Sequence, residues 1–158
     1  MRIVASLTAV AALWTTPAMA ADWYLVTTTT SKSSAIFIDR SSLPDSGDIR
    51  RTTTLVVFAQ DNKGAAAMQA VIDFDCKASR YTFVSIVRLD AAGNSLGEDA
   101  GSGRWWAVDP NTAAESELQF ACTSGAQPSD TISFGSALPI ARARERLATE
   151  KPGTYGGH

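Results

Sequence analysis

Few residues in this chain have the chemistry of a catalyst. The only histidine, His158, is the last residue of the sequence, so no positioned imidazole is expected for a Ser-His-Asp or Cys-His site. Asp73 and Asp75 are two residues apart in an alternating stretch, which places both carboxylates on one strand face roughly 7 Å apart. This spacing suits the carboxylate pair of an inverting glycosidase, but exposed strands often carry such pairs. We expect no catalytic residues, with a hydrolase that uses Asp73 and Asp75 as an alternative.

The chain also lacks the ligands of a metal centre. Cys76 and Cys122 are the only cysteines. Two thiols and one terminal histidine cannot complete a closed tetrahedral site. The sequence therefore predicts no metal and no cofactor.

Two adjacent tryptophans, Trp105 and Trp106, follow a glycine-rich stretch over residues 97–103. The glycine spacing matches no nucleotide-binding fingerprint, so this stretch is predicted to be a loop. One of two adjacent tryptophans commonly belongs to the core and the other to its edge, where it offers a stacking surface. Both are candidate binding residues. The formal net charge of -2 gives no reason to expect nucleic-acid binding.

The positions of Asp73, Asp75 and Cys76 depend on a hairpin that the sequence predicts over residues 71–89. Ile72 and Phe74 alternate with the two aspartates, as in a half-buried strand. A short turn joins this strand to a second one that is apolar on both faces in its middle. The second strand is therefore predicted to be central and covered on two sides, with Arg80 opposite the aspartates.

Other segments rich in β-branched and aromatic residues predict further strands. These segments span residues 22–30, 35–39 and 49–60, and residues 65–70 lead into the hairpin. Turn-forming residues separate them. We predict an α+β fold with a single antiparallel β-sheet of about five to six strands.

A short helix is predicted over about residues 113–121, because Thr112 and Glu115 have the spacing of a capping box. Three of its residues share one face at i, i+4 and i+8 spacing: Ala114, Leu118 and Cys122. The helix should pack on one face of the sheet and direct Cys122 towards Cys76.

A second, C-terminal helix is predicted over residues 138–151, before Pro152 and Gly153. Its apolar stripe is thin and consists of Ile140, Ala143 and Leu147. Three arginines surround the stripe: Arg142, Arg144 and Arg146. We interpret this segment as a solvated amphipathic helix lying against the domain. Docking of the three arginines to an acidic partner or an anionic surface is the alternative.

Residues 1–20 have the pattern of a signal peptide, with a short positive start, an apolar run and a small-residue cleavage site. We expect cleavage after Ala20 and a periplasmic or secreted protein, with no lipobox and no transmembrane segment left. An oxidising compartment favours a disulfide between Cys76 and Cys122, with free thiols as the alternative. Residues 21–122 would form the domain, and residues 123–158 a linker, the arginine-rich helix and a disordered tail.

Several motifs, taken in order, resemble the surface-adhesin protein E family of small exported bacterial proteins. They are Trp23, residues 36–43, residues 72–76, residues 89–96 and residues 108–122. The resemblance implies an antiparallel sheet with a packed helix and a Cys76–Cys122 bridge. It also implies binding to a protein partner, such as an extracellular-matrix or envelope protein.

The leading hypothesis is therefore an exported, non-catalytic binding module. A structural envelope protein that forms a homodimer through an open sheet edge is one alternative. The hydrolase based on the two aspartates is the other.

Overall fold

One antiparallel β-sheet organises the computed structural model, which describes residues 20–29, 31–44, 46–126 and 132–149. Within these residues the strands are β1 (Trp23–Thr28), β2 (Ser34–Asp39), β3 (Ile49–Asn62), β4 (Ala65–Asp75), β5 (Arg80–Leu89), β6 (Ser95–Ala100), β7 (Trp106–Ala107) and β8 (Ile132–Gly135). The helices are α1 (Ala113–Cys122) and α2 (Ile140–Thr149). The sheet order is β6-β5-β4-β3-β2-β1-β8, and β7 pairs with β5. The predicted α+β class is confirmed.

The sheet has eight strands within the described residues, so the prediction of five to six was wrong. The additional strands are β6, β7 and β8, which lie in segments that the sequence indicated as loop or linker. β6 is polar and mostly exposed, and β7 and β8 have two and four residues. β6 and β7 are held mainly by backbone pairing, and Phe134 is the only buried side chain of β8, so these short strands leave little alternating pattern in the sequence.

The middle of the sheet is β3, not β5 as predicted. β3 pairs with β4 from Ile49 to Val57 and with β2 from Thr53 to Phe58. β5 is largely half-exposed, because its outer neighbours are the short strands β6 and β7 and the helices pack mainly over β1 to β4. The apolar middle of β5 therefore marks a strand that is only partly covered.

One face of the sheet packs against α2. The predicted stripe of α2 is confirmed, because Ile140, Ala143 and Leu147 are all buried. The sheet residues in the same cluster include Phe37, Leu55, Val57, Ala67 and Leu89. Lys151 and the predicted tail lie outside the described residues, as does the predicted signal peptide before Ala20.

The opposite face packs against α1. Its sheet residues alternate with those under α2, and the cluster contains Ala70, Ile72 and Phe74 together with Ala121 of the helix. The most buried side chains of α1 are Glu117, Phe120 and Ala121, not the predicted row. Because successive helical residues are about 100° apart, α1 is rotated by about one residue from the predicted orientation. Both sheet faces therefore have a helix.

Candidate functional site

The β4–β5 hairpin closes with the ion pair that its sequence predicted. Asp75 accepts a hydrogen bond from Arg80 Nε at 2.9 Å and another from the backbone N–H of Ala78 at 3.0 Å. The backbone oxygen of Ser79, in the same turn, accepts a hydrogen bond from the N–H of Val108 at 2.9 Å. The turn therefore fixes the segment that follows β7.

The predicted disulfide between Cys76 and Cys122 is confirmed, with Cα atoms 5.7 Å apart. It joins the hairpin turn to the last residue of α1. The two cysteines are 46 residues apart in sequence, so the bridge encloses β5, β6, β7 and α1 in one covalent loop.

The predicted N-cap of α1, Thr112, is confirmed, and Glu115 reaches back as predicted, but to the residue before the N-cap. The hydroxyl oxygen of Thr112 accepts a hydrogen bond from the backbone N–H of Glu115 at 3.3 Å. The Glu115 carboxylate in turn accepts from the N–H of Asn111 at 2.7 Å. The residues between β7 and α1 thus have defined hydrogen bonds at both ends.

The glycine-rich stretch contains a site of close backbone contact. The N–H of Gly101 donates to the backbone oxygen of Val84 at 2.9 Å. A Cβ atom on Gly101 would overlap the backbone oxygen of Phe83. This glycine therefore allows the chain between β6 and β7 to follow the edge of β5, which gives it a structural role.

Two arginine–tryptophan pairs lie where β7 meets β5. The Arg104 guanidinium lies 4.0 Å from the ring centroid of Trp106, and that of Arg80 lies 4.8 Å from the ring centroid of Trp105. Trp105 is half-buried, whereas Trp106 is 41% exposed. We call these four residues the arginine–tryptophan edge. The sequence identified both tryptophans as binding candidates and Arg80 only as a partner of the aspartates. The contact of Arg80 with Trp105 depends on the pairing of β5 with β7, which is a long-range property. Arg104 lies only two residues before Trp106, a local spacing that could have pointed to this pair.

An aromatic row supports the exposed tryptophan. Trp106 pairs with Tyr81 across the strands, so their side chains lie on the same face of the sheet. Tyr81 contacts Phe74 and Phe83, with ring centroids 6.1 and 5.6 Å apart. Burial raises the pKa of Tyr81, and the carboxylate of Glu117 adds to the effect. The exposed indole thus adjoins the core on the α1 face.

The two aspartates on β4 are each bound to an arginine. Arg51 donates to both carboxylate oxygens of Asp73, at 2.7 and 2.8 Å. Hydrogen bonds from the Ala78 N–H and from Arg80 hold the pKa of Asp75 below its ordinary value. A general acid needs the opposite shift. Asp73 and Asp75 therefore have the geometry of structural ion pairs.

The family model described as surface-adhesin protein E matches residues 23–123. The chain belongs to the surface-adhesin protein E family. Membership supports a surface-adhesin-like role and an exported or surface location. No curated protein and no solved structure matches the chain.

The part that matches the adhesin family runs from β1 to the end of α1. It contains both cysteines and the whole arginine–tryptophan edge. β8 and α2 lie beyond the match, although α2 covers one face of the adhesin sheet. The binding candidates on α2 and those on β7 therefore belong to different parts of the chain.

The candidate arginines of α2 contact other parts of the chain than Trp105 and Trp106. Arg144 donates to the backbone oxygen of Phe58 at 2.9 Å and pairs with the Asp61 carboxylate at 2.5 Å, both on β3. Arg142 donates to the backbone oxygen of Phe134 at 3.1 Å and lies over its ring. Arg146 is half-buried in the last turns of α2. Arg144 thus attaches α2 to β3, within the part that matches the adhesin family, whereas Arg142 attaches it to β8, beyond that part.

Sequence reasoning missed one ionisable residue in the adhesin core. Glu117 of α1 is 8% exposed and shares a hydrogen bond with Thr54, which is itself 1% exposed. Burial raises the pKa of Glu117 to about 7. The sequence prediction missed Glu117 because the predicted buried face of α1 did not include it. In the structure, α1 is rotated so that Glu117 faces the sheet.

The described part of the chain holds no group of three or more His, Cys, Asp or Glu side chains that could bind a metal ion. No helix in the described ranges is long and apolar enough to cross a bilayer.

Proposed function

We propose that this protein is an exported, non-catalytic binding module that engages a protein partner through the arginine–tryptophan edge. The observation that carries the proposal is the stacking of Arg104 on the exposed ring of Trp106. Tryptophan and arginine are the residue types most enriched among the energetic hot spots of protein interfaces. The adhesin family of the chain supports a partner of the host or of the bacterial envelope.

The contacts that hold the arginine–tryptophan edge in place favour binding with little rearrangement of the chain. Its strand is paired to β5, its preceding segment passes Phe83 at close range, and its following segment is bonded to Ser79. The Cys76–Cys122 bridge closes the same region covalently. A preorganised surface loses less conformational entropy on binding than a mobile loop does.

Binding assays with a single truncation test the proposal. Purified chain is immobilised and presented with a panel of extracellular-matrix proteins and with solubilised envelope proteins. Trp106→Ala should weaken retention of the partner about 30-fold, the effect of losing a hot spot worth about 2 kcal/mol. Leu138→Ala is the matched control, because Leu138 is 40% exposed but lies next to α2.

Two results would count against the proposal. One is that no protein in either panel is retained above background. The other is that Trp106→Ala and Leu138→Ala bind the partner equally well, which would place the binding surface elsewhere on the chain.

The exported state is tested separately by cell fractionation and intact-mass analysis under non-reducing conditions. We expect a chain that begins at Ala21, contains one disulfide and is found outside the cytoplasm. A chain that retains residues 1–20 in the cytoplasm would contradict this part of the proposal.

A further inference from the structure

Three cationic side chains lie at or beside the arginine–tryptophan edge, and they differ in their partners. Arg80 pairs with Asp75 at 2.9 Å, and Lys77 pairs with Asp48 at 2.8 Å. Among the residues that the structure describes, no carboxylate or carbonyl oxygen accepts a hydrogen bond from the Arg104 side chain, whose contact is the Trp106 ring. Arg104 therefore keeps its full donor capacity for a ligand.

The guanidinium of Arg104 lies over the Trp106 ring, 4.0 Å from the ring centroid, and Arg104 is exposed. A guanidinium carries five N–H donors in a planar fork. This fork matches the two oxygens of a carboxylate, which it can bind through two parallel hydrogen bonds. The exposed part of the Trp106 ring beside it offers an apolar contact.

The backbone beside this pair is that of an edge strand. β7 pairs with β5 on one side, and no described strand pairs with its other side. The unpaired N–H and C=O groups of such an edge can bond to an extended segment of another chain.

Negative charge further along the same border of the sheet limits how acidic a ligand can be. β6, which also pairs with β5, carries the exposed carboxylates of Glu98 and Asp99. A run of acidic residues in a ligand would be repelled there, whereas a single acidic residue opposite Arg104 would not. A sulfated polysaccharide is disfavoured for a related reason, because it needs several unpaired cations and the described part of this edge provides one.

We propose that the arginine–tryptophan edge binds an extended protein segment in which one carboxylate side chain neighbours an apolar side chain. The carboxylate pairs with Arg104, the apolar side chain packs on Trp106, and the segment's backbone aligns along β7. This inference rests on the proposed function and specifies the chemistry of the partner.

Short synthetic peptides test the inference with the full exported chain. The probe is a fluorescein-labelled peptide of alternating Val and Thr with one Glu in the middle, and the control peptide has Gln in that position. We expect the Glu peptide to bind at least about tenfold more tightly, the usual range of a charge-assisted bond. This preference should weaken as salt is added.

Two variants locate the preference. Arg104→Lys keeps the charge but removes the fork, so the preference for the Glu peptide should fall severalfold. Arg88→Lys is the matched control and should keep the preference, because Arg88 is exposed on neighbouring β5 and is not part of the arginine–tryptophan edge. Circular dichroism should show the same fold for both variants.

Three outcomes would overturn the inference. The first is equal binding, or no measurable binding, of the two peptides by the wild-type chain. The second is an unchanged preference in Arg104→Lys, and the third is Arg104-dependent binding of a heparin oligosaccharide with no preference between the peptides. If any of these occurs while Trp106→Ala still loses the protein partner, the inference fails and the proposed function stands.

Discussion

At the scale of single residues, Glu117 stands out among the described residues because its pKa is raised from 4.5 to about 7. It lies between α1 and the sheet, where burial opposes the ionised form more strongly than the hydrogen bond to Thr54 favours it. The folded chain therefore retains a proton that the unfolded chain releases between pH 4.5 and about 7. The stability that this proton supports is fully present below pH 4.5 and is lost as the pH rises through about 7.

The Glu117→Gln variant should remove this pH dependence. The difference between the two pKa values predicts that the wild-type chain loses about 3 kcal/mol of unfolding free energy between about pH 4.5 and pH 8. The glutamine variant should lose little over the same range and should be the more stable chain at pH 8. Urea unfolding at several pH values measures both. Glu98→Gln, on exposed β6, is the control, and equal pH slopes in all three chains would refute the assignment.

Gly101 is the residue on which the path of the chain towards β7 depends. Gly101→Ala should destabilise the fold by about 1 to 3 kcal/mol, because the added methyl group overlaps the Phe83 backbone oxygen and the chain must move. It should also weaken partner binding, because β7 would shift. Ser136→Ala, on an exposed residue between β8 and α2, should do neither in denaturant unfolding and binding assays. A Gly101→Ala variant as stable as the wild type would be inconsistent with the close contact.

At the scale of elements, the sequence predicted those whose side chains are buried and missed those held by backbone pairing. The β-branched and aromatic residues of β2 and β3 and the alternation at the end of β4 indicated strands, and the spacing of Thr112 and Glu115 located α1. β6 has no such pattern, since Ser95, Glu98 and Asp99 are all exposed. The rotation of α1 was missed because Phe120 and Ala121 fit a buried face as well as the predicted row does.

The attachment of α2 to the sheet can be tested by removing one of its arginine contacts. Arg144→Ala should destabilise the docking of α2 by about 1 kcal/mol, because the partly exposed guanidinium bonds both Phe58 and Asp61 of β3. Hydrogen exchange of the amides over residues 143–149 should become faster, while exchange in β3 and β4 changes little. Arg88→Ala, which removes an exposed arginine from β5, should leave α2 exchange unchanged. If both variants gave the same exchange, Arg144 would not hold the helix.

At the scale of the whole molecule, one sheet is covered on both faces by helices that are attached in different ways. α1 is joined to the sheet covalently through Cys76 and Cys122, within the part that matches the adhesin family. α2 is held by Ile140, Ala143 and Leu147 and by arginine contacts, beyond that match. The sequence predicted the covalent link, because two cysteines in an exported chain leave one intrachain pairing. It did not predict that α2 covers a sheet face of its own.

Removal of the disulfide should have a large effect on stability. The chain-entropy model gives about 4 kcal/mol for a loop of this length. The double variant Cys76→Ala, Cys122→Ala should therefore unfold at a markedly lower denaturant concentration than the oxidised wild-type chain. The reduced wild-type chain is the control and should behave like the double variant. An unchanged unfolding midpoint would contradict the structural role of the bridge.

Site-specific photo-crosslinking can show directly whether this adhesin-family protein binds a partner through the border of its sheet at β7. In one variant a photoreactive residue replaces Ala107, an exposed neighbour of Trp106. In a second variant it replaces Ala148, an exposed residue of α2. We expect a protein adduct from position 107 that disappears when Arg104 is also changed to Ala, and no such adduct from position 148. Equal adducts from both positions, or an adduct only from position 148, would contradict this expectation.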